Sequence, residues 1–254
     1  MTSNSLKLVS AEFPFADAPD IETASSGYAQ RFTGPIGNWL LRVQESYIKE
    51  ILRDKVGQSI LDVGGGHGQN IEVALQNQLN LTIHGSSSDC FSQIKVEDTA
   101  NKLSFIVGPI TKLPVEDRCF DNVISIRLLS HLYNWPTLIE ELCRVAKSDV
   151  IVDFPTKASF NALEPLLFRF KKNIEKNTRH FLTFNRDDIL NEFEKNGFRL
   201  EHCHPQFFWP MALHRGLKSP KISALLELAP RLIGLTRLFG SPIIASFKRQ
   251  SKAT

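Results

Sequence analysis

The 254-residue sequence has little of what marks a secreted or membrane-spanning protein. It contains four cysteines, Cys90, Cys119, Cys143 and Cys203, and they lack the paired spacing of a disulfide framework. No apolar run approaches the ~20 residues of a membrane helix. No basic segment followed by an apolar one marks a secretion signal near the N-terminus. We therefore expect reduced thiols in a cytoplasmic protein.

A metal site is not expected either. His202, Cys203 and His204 are consecutive, but neighbouring residues of a strand point to opposite faces. No second cluster of ligand residues completes a tetrahedral set with them.

The two parts of the chain differ in charge. Residues 1–154 carry 13 Lys and Arg against 19 Asp and Glu, whereas residues 155–254 carry 17 against 8. The basic excess of the second part indicates either a solvated face or a surface for an anionic substrate or an anionic membrane. Aromatic residues do not interleave with the basic ones, so nucleic acid is the least favoured partner.

The most informative segment is a glycine-rich turn. An apolar run at residues 60–63, which contains Asp62, leads into Gly64, Gly65, Gly66 and Gly68. This pattern predicts a buried strand, a tight turn and the start of a helix, in which side chains on the turn would block a closely approaching ligand. The spacing departs from the dinucleotide fingerprint, because Gln69 occupies its third glycine position, and no phosphate-loop lysine follows. We expect a small, polar, nucleotide-like ligand.

The turn and three later segments resemble class I S-adenosylmethionine-dependent methyltransferases. Residues 62–68 resemble the family's D-x-G-x-G-x-G motif, residues 113–126 resemble its passage from L-P to F-D-x-V-i-s, and residues 140–145 resemble its E-l-x-R-V helix. The resemblance covers about residues 59–155 and is nearest to the methyltransferase type 11 group, which includes enzymes of ubiquinone and menaquinone biosynthesis. It implies S-adenosyl-L-methionine as cofactor and methyl transfer to a small-molecule or lipid-like acceptor by in-line displacement.

The resemblance also implies the cofactor-binding residues. They are Asp62, Gly64, Gly65, Gly66, Gly68, Ser87, Asp89, Pro109, Ile110 and Arg127. Ser87 stands where the family carries an acid for the ribose hydroxyls, and Asp89 lies two residues further on. Pro109 stands where the family carries an acid near the adenine, and Ile110 would pack on the adenine face. The two replaced acids indicate that the backbone of the glycine turn carries more of the binding than is usual.

His131 is the candidate catalytic base. It follows the fourth predicted strand, where this fold exposes residues to the transferred methyl group, and imidazole titrates near neutrality. A packing or helix-capping histidine is the alternative. Weaker candidates are Tyr133, Asp153, Arg179 and His180, and the pair His214 and Arg215 faces either solvent or an acidic substrate.

Two other functions stay open from the sequence. Ser87 and Pro109 are compatible with a non-catalytic protein that binds a cofactor or a partner on the same fold. A nucleotide-dependent oxidoreductase is disfavoured by the glycine spacing, and no Tyr-x-x-x-Lys pair occurs at Tyr28, Tyr47 or Tyr133. The methyl acceptor and the oligomeric state are not specified by these motifs.

Alternating strand and helix patterns predict a single α/β domain over residues 1–254. The expected fold is a Rossmann-like, doubly wound, mostly parallel seven-stranded sheet with a C-terminal antiparallel hairpin and helical insertions over the cleft. Residues 1–57 form an N-terminal arm, loose over 1–30, and a helix; residues 58–154 form the cofactor-binding core. Residues 155–254 form a substrate roof and the last strands, with peripheral membrane contact through 155–240 as an option. Strands are predicted at 59–63, 80–84, 103–107, 122–129, 149–153, 198–208 and 242–248. Helices are predicted from 36 to near 57, at 69–78, 136–146, 158–176 and 211–237, and from a cap at Asn185 or Asp187 to Asn196, with a weak one near 90–99.

Overall fold

The computed structural model describes residues 18–94, 103–159 and 181–251. Its strands form one sheet in the order β3-β2-β1-β4-β5-β7-β6. They are β1 (Ser59–Val63), β2 (Asn80–Gly85), β3 (Leu103–Val107), β4 (Phe120–Ser125), β5 (Ala146–Phe154), β6 (Phe198–Phe207) and β7 (Ser241–Arg249). β7 runs antiparallel between β5 and β6, and the other neighbouring pairs are parallel. The predicted fold class is confirmed.

Helices precede the sheet, connect its strands and form a group before the last strand. They are α1 (Pro19–Thr23), α2 (Ser26–Ala29), α3 (Gly34–Leu52), α4 (Ile71–Gln76), α5 (Trp135–Val145), α6 (Arg186–Lys195), α7 (Met211–Leu217), α8 (Pro220–Leu232) and α9 (Leu235–Phe239). α6 follows Asn185 and ends before Gly197, whose φ of 76° suits a glycine stop. The roof helix predicted at 158–176 lies almost wholly outside the described residues.

The central strands are buried on both faces, as parallel strands between two helix layers should be. Val123 of β4 belongs to one apolar cluster and its neighbour Ile124 to the other, and Val150 and Ile151 of β5 divide in the same way. α5 and α6 cover the first face, and α3 and α4 cover the second. The two-residue period of the strands therefore builds both halves of the core.

Several elements differ from their predicted extents. The helix predicted at 211–237 is three helices, α7, α8 and α9; β5 extends beyond the predicted 149–153, and α4 is shorter than the predicted 69–78. β4 ends at Ser125 rather than 129, because Arg127 takes a left-handed φ of 61° and its N–H donates to the carboxylate of Asp153. The following residues form a short 3₁₀ turn, Leu129–His131. The weak helix near 90–99 begins as another 3₁₀ turn, Ser88–Phe91, and residues 95–102 lie outside the described ranges.

Helix α5 fixes the loop between β3 and β4. Glu141 accepts a hydrogen bond from the backbone N–H of Leu113 at 2.7 Å, and Arg144 donates to the carbonyls of Leu113 and Val115. Arg144 also bonds both Glu141 and Asp117. The E-l-x-R-V helix and the L-P loop are thus two halves of one polar clamp, which explains why the sequence pattern pairs them.

The described residues include no helix with the length and apolarity needed to cross a membrane. All four cysteines carry free thiols. Within the same residues, no group of three or more His, Cys, Asp or Glu side chains is arranged to hold a metal ion.

Candidate functional site

A cavity of about 20 Å³ lies at the carboxyl ends of β1 and β4. This is the edge at which doubly wound sheets bind ligands. The cavity is lined by Asp62, Gly64, Gly65, His67, Gln69, Asn70, Ile126 and Arg127. It brings together four of the predicted cofactor-binding residues, Asp62, Gly64, Gly65 and Arg127.

Asp62 is a buried carboxylate with spare hydrogen-bonding capacity. Its side chain is 1% exposed, and its Oδ2 accepts a hydrogen bond from Asn70 at 2.9 Å. Its Oδ1 has no partner within the described part of the chain. Burial raises the pKa of Asp62 to about 6, although the Asn70 hydrogen bond and the Arg127 charge act in the opposite direction. A cationic or N–H donor entering the cavity would satisfy this oxygen.

Arg127 is held in a constrained backbone conformation at the same cavity. Its φ of 61° is uncommon for a residue other than glycine. The guanidinium lies 4.2 Å from the centre of the Phe32 ring. Burial raises the pKa of both Asp62 and Asp153, and the charge of Arg127 opposes this effect at each of them. The three residues therefore form one electrostatic cluster.

Asp153 and a glutamine from α3 complete the buried polar network. Burial raises the pKa of Asp153 to about 6. Gln44 donates to Asp153 at 3.4 Å and accepts from Gln69 at 2.6 Å. The sequence prediction missed Gln44, although its position offered a signal. It stands in the buried stripe of α3 between Leu40 and Ile48, where a polar residue needs a partner.

The glycines of the turn are required by the turn itself. Gly64 and Gly68 have φ values of 76° and 63°, which other residues rarely adopt. A Cβ on Gly65 would collide with the Asp62 carboxylate, and a Cβ on Gly66 would lie 2.6 Å from the carbonyl oxygen of Cys90. The sequence prediction attributed these glycines to ligand approach. The structure gives a different immediate reason, which is packing within the protein.

Helix α1 lies directly on the glycine turn. A Cβ on Gly66 would be 2.8 Å from the Cβ of Ala24, at the end of α1. Asp20 accepts hydrogen bonds from the backbone N–H and the hydroxyl of Ser86, just beyond β2, and is 1% exposed. The prediction of a loose arm is therefore wrong for residues 18–30, because a buried carboxylate anchors them. Residues 1–17 of that arm lie outside the described residues.

Several predicted cofactor residues lie beside the cavity's turn without lining the cavity. Ser87 caps the 3₁₀ turn Ser88–Phe91, and its hydroxyl accepts from the N–H of Asp89 at 3.3 Å. Asp89 is exposed, and Pro109 is partly buried. Ile110 is fully buried in the apolar core. Their assignment to the cofactor stays a prediction.

His131 occupies the 3₁₀ turn after β4, and its ring lies 5.8 Å from that of Phe181. It does not line the cavity described above. Tyr133 is 71% exposed, and Arg179 and His180 lie outside the described residues.

His214 does not face an acidic substrate. It is fully buried and bonds Glu227 at 2.9 Å. Arg215 instead reaches the Phe32 ring, at 5.8 Å, so α7 and Arg127 share one aromatic neighbour.

Sequence comparison identifies the core of this chain. Residues 61–152 match a family model described as a methyltransferase domain. Norajmaline N-methyltransferase from Rauvolfia serpentina is 32% identical over 97 residues, which are 36% of this chain. The match spans 33% of the length of that relative. The residues that match the family model contain the glycine turn, β4 and α5.

Solved structures share the fold over most of the chain. Magnesium protoporphyrin IX methyltransferase from Synechocystis PCC 6803, solved with bound SAH, has a TM-score of 0.60 and 16% identity, covering 90% of this chain and 96% of that one. A putative methyltransferase from Bacillus halodurans C-125 has a TM-score of 0.58 and 17% identity, covering 82% and 99%. The [4+2]-cyclase SpnF has a TM-score of 0.52 and 16% identity, covering 80% of each chain. At these identities the likeness concerns the fold. The chain therefore shares its fold with S-adenosylmethionine-dependent methyltransferases, and residues 61–152 match the methyltransferase domain family.

Proposed function

We propose that this chain binds S-adenosylmethionine at the cavity between β1 and β4 and transfers its methyl group to a small, lipophilic acceptor. The observation that carries the proposal is the pairing of Asp62 and Arg127 on one cavity. A carboxylate with an unpartnered oxygen and a guanidinium complement the ammonium and carboxylate of an α-amino acid. The methionine end of the cofactor carries these two groups.

The residues fit such a group in their charge and their burial. Asp62 would accept from the ammonium, which also stabilises the ionised form of a carboxyl group whose pKa burial raises to about 6. Arg127 would bind the carboxylate, oriented by the Asp153 bond to its backbone and by the Phe32 ring. Gln69, which lines the cavity, donates to Gln44, and Gln44 donates to Asp153. These two hydrogen bonds hold the Asp153 carboxylate in place.

The remaining predicted residues would serve the nucleoside end and the acceptor. Ser87 and Asp89 follow β2, and Pro109 and Ile110 follow β3. When bound, the cofactor supplies an activated methyl group, so the protein contributes mainly the alignment of two reactants. His131 is the proposed base for an acceptor that must lose a proton.

Helices α7, α8 and α9, which lie in the predicted substrate roof, favour a lipophilic acceptor. α7 reaches the cavity region through Arg215 and Phe32, and α8 and α9 follow it in the chain. These two helices carry exposed large apolar side chains, among them Leu225, Leu232 and Leu238. An acceptor with an apolar body would find contacts on this side of the molecule.

Ligand-dependent thermal shift tests the binding half of the proposal. We expect S-adenosylmethionine and S-adenosylhomocysteine to raise Tm, 5′-methylthioadenosine to raise it less because it lacks the amino-acid end, and NAD to leave it unchanged. A shift with NAD alone would favour the oxidoreductase alternative.

Transfer is tested with methyl-labelled S-adenosylmethionine and a lipid extract of membranes. We expect label in the organic phase after incubation with the wild-type chain. Binding of S-adenosylhomocysteine without any labelled product in organic or aqueous fractions would favour the non-catalytic alternative.

A further inference from the structure

Helix α8 buries polar side chains and exposes apolar ones, which is the reverse of an ordinary surface helix. The residues that it buries are Ser223, Glu227 and Pro230. Its apolar stripe instead faces solvent and consists of Ile222, Leu225, Leu226, Leu232 and Ile233, which are 37–76% exposed. Counted from Ile222, the other four follow at three, four, ten and eleven residues, which is the spacing of a single helix face. We call these five residues the apolar face of α8.

Buried hydrogen bonds fix α8 in this orientation. Glu227 accepts from the backbone N–H groups of Phe208 and Trp209 at 2.9 and 3.0 Å and bonds His214 at 2.9 Å. Arg231 donates to the Tyr47 hydroxyl and to the carbonyl of Gln206. Rotating the helix to bury its apolar face would leave Glu227 and these backbone groups without partners, at a high cost in free energy. The exposure of the apolar face is therefore built into the fold.

The surroundings of the apolar face are basic. Residues 211–240 contain five Lys and Arg and one acid, the buried Glu227. Lys218, Lys221 and Arg237 are exposed on and beside α8. α9 continues the surface with Leu238 and Phe239, which are 68% and 43% exposed. A contiguous apolar stripe flanked by cations is the pattern of a helix that lies in the interface of an anionic bilayer.

We propose that the chain docks on anionic lipid membranes through the apolar face of α8 and the end of α9, with Lys218, Lys221 and Arg237 on lipid headgroups. A second copy of the chain fits the surface less well. A two-fold contact through α8 and α9 would bring the same basic residues of both copies together, and residues 211–240 contain no exposed acid to pair them. Anionic headgroups supply the missing charge. Docking would hold α7, which bonds α8 through His214 and reaches Phe32 through Arg215, close to the bilayer, where a lipophilic acceptor would reside.

Vesicle co-sedimentation tests this inference without cofactor or methyl acceptor, so its result is independent of the proposed function. We expect the wild-type chain to bind phosphatidylcholine vesicles that contain phosphatidylserine, and to bind less at high salt. Leu225→Asp with Leu232→Asp should abolish binding. Lys221→Glu with Arg237→Glu should weaken it by about tenfold or more, since each cation near the surface contributes.

Val56→Asp is the matched control, because Val56 is 59% exposed in the loop before β1, outside α8 and α9. It should bind vesicles like the wild type. Absence of wild-type binding to phosphatidylserine vesicles, or equal binding by the Leu225 and Leu232 double variant, would overturn the inference. The inference would also be overturned if the wild type did not bind vesicles and sedimentation equilibrium showed a dimer that this double variant dissociates.

Discussion

Asp20 accepts two hydrogen bonds from Ser86, one from its backbone N–H and one from its hydroxyl, each at 2.6 Å. This pair joins α1 to the end of β2 and places Ala24 over Gly66. The cavity that remains, about 20 Å³, is far smaller than a nucleoside. The chain's own N-terminal segment therefore packs on the glycine turn. If the cofactor binds there as proposed, we expect α1 to move when it enters.

Asp20→Ala should loosen this cover. The variant loses both bonds to Ser86, so amide hydrogen exchange should become faster in residues 18–29 and in 86–91. Association of S-adenosylmethionine, followed by stopped-flow fluorescence, should also become faster because a larger fraction of molecules is open. Unchanged exchange together with an unchanged association rate would show that α1 does not limit entry.

Asp62→Asn should stabilise the fold at neutral pH while it weakens cofactor binding. The pKa of Asp62 rises from 3.8 to about 6 on folding because of burial, so the folded protein holds the proton more tightly than the unfolded chain does. The wild type thus loses stability as pH rises through this window, by at most about 3 kcal/mol. The free energy of unfolding of the variant should rise relative to that of the wild type between pH 4 and 7. Urea unfolding followed by circular dichroism measures this difference.

Asp149→Asn is the control for this prediction. Asp149 is a buried carboxylate of β5 that pairs with Lys55 at 2.7 Å, away from the cavity. Its replacement should destabilise the protein and leave cofactor affinity unchanged, since the ion pair is broken but the cavity is intact. A wild-type affinity in Asp62→Asn would remove Asp62 from the site.

Gly66→Val should disrupt the glycine turn. The added side chain would meet the carbonyl of Cys90 and the Cβ of Ala24, so overpacking should cost about 1–3 kcal/mol and displace α1. We expect calorimetry to show no cofactor binding by a variant that retains its circular dichroism spectrum. Gly216→Ala is the control, because a Cβ there meets nothing within 4 Å. Wild-type affinity in Gly66→Val would mean that the turn does not shape the site.

His131→Ala should lower methyl transfer by about 10²–10⁴-fold and leave cofactor affinity nearly unchanged, if His131 removes a proton from the acceptor. The labelled-transfer assay and calorimetry measure the two quantities separately. His202→Ala, an exposed histidine of β6, serves as the control. Unchanged transfer in His131→Ala would show that His131 is not the base for the acceptor.

Much of the sheet was predictable because its strands are locally encoded. The bounds of β1 and β3 agree with the prediction, since each is a short apolar run between polar or glycine residues. The end of β4 was predicted four residues too late, because the apolar residues after Ser125 continue the strand pattern. The strand ends there because the backbone of Arg127 bonds Asp153, 26 residues later in the chain. Hydrophobic pattern alone does not contain that contact.

The site was predictable only where a motif marked it. Asp62 and the glycines belong to a contiguous segment with a recognisable spacing. Gln44 and Asp20 reach the same region through contacts 109 and 66 residues apart in the chain. Each residue type is common on surfaces, and the folded structure places both in buried surroundings. Their roles follow from tertiary packing, which a single sequence does not specify.

The central claim is that Asp62 and Arg127 bind the amino-acid end of S-adenosylmethionine. Isothermal titration calorimetry with S-adenosylhomocysteine and 5′-methylthioadenosine tests it most directly. We predict that Asp62→Asn and Arg127→Met each weaken S-adenosylhomocysteine binding by about tenfold or more, as expected for loss of a charge-assisted bond, and leave the weaker binding of 5′-methylthioadenosine unchanged. Absence of S-adenosylhomocysteine binding by the wild type, or equal losses for both ligands in the variants, would contradict the account.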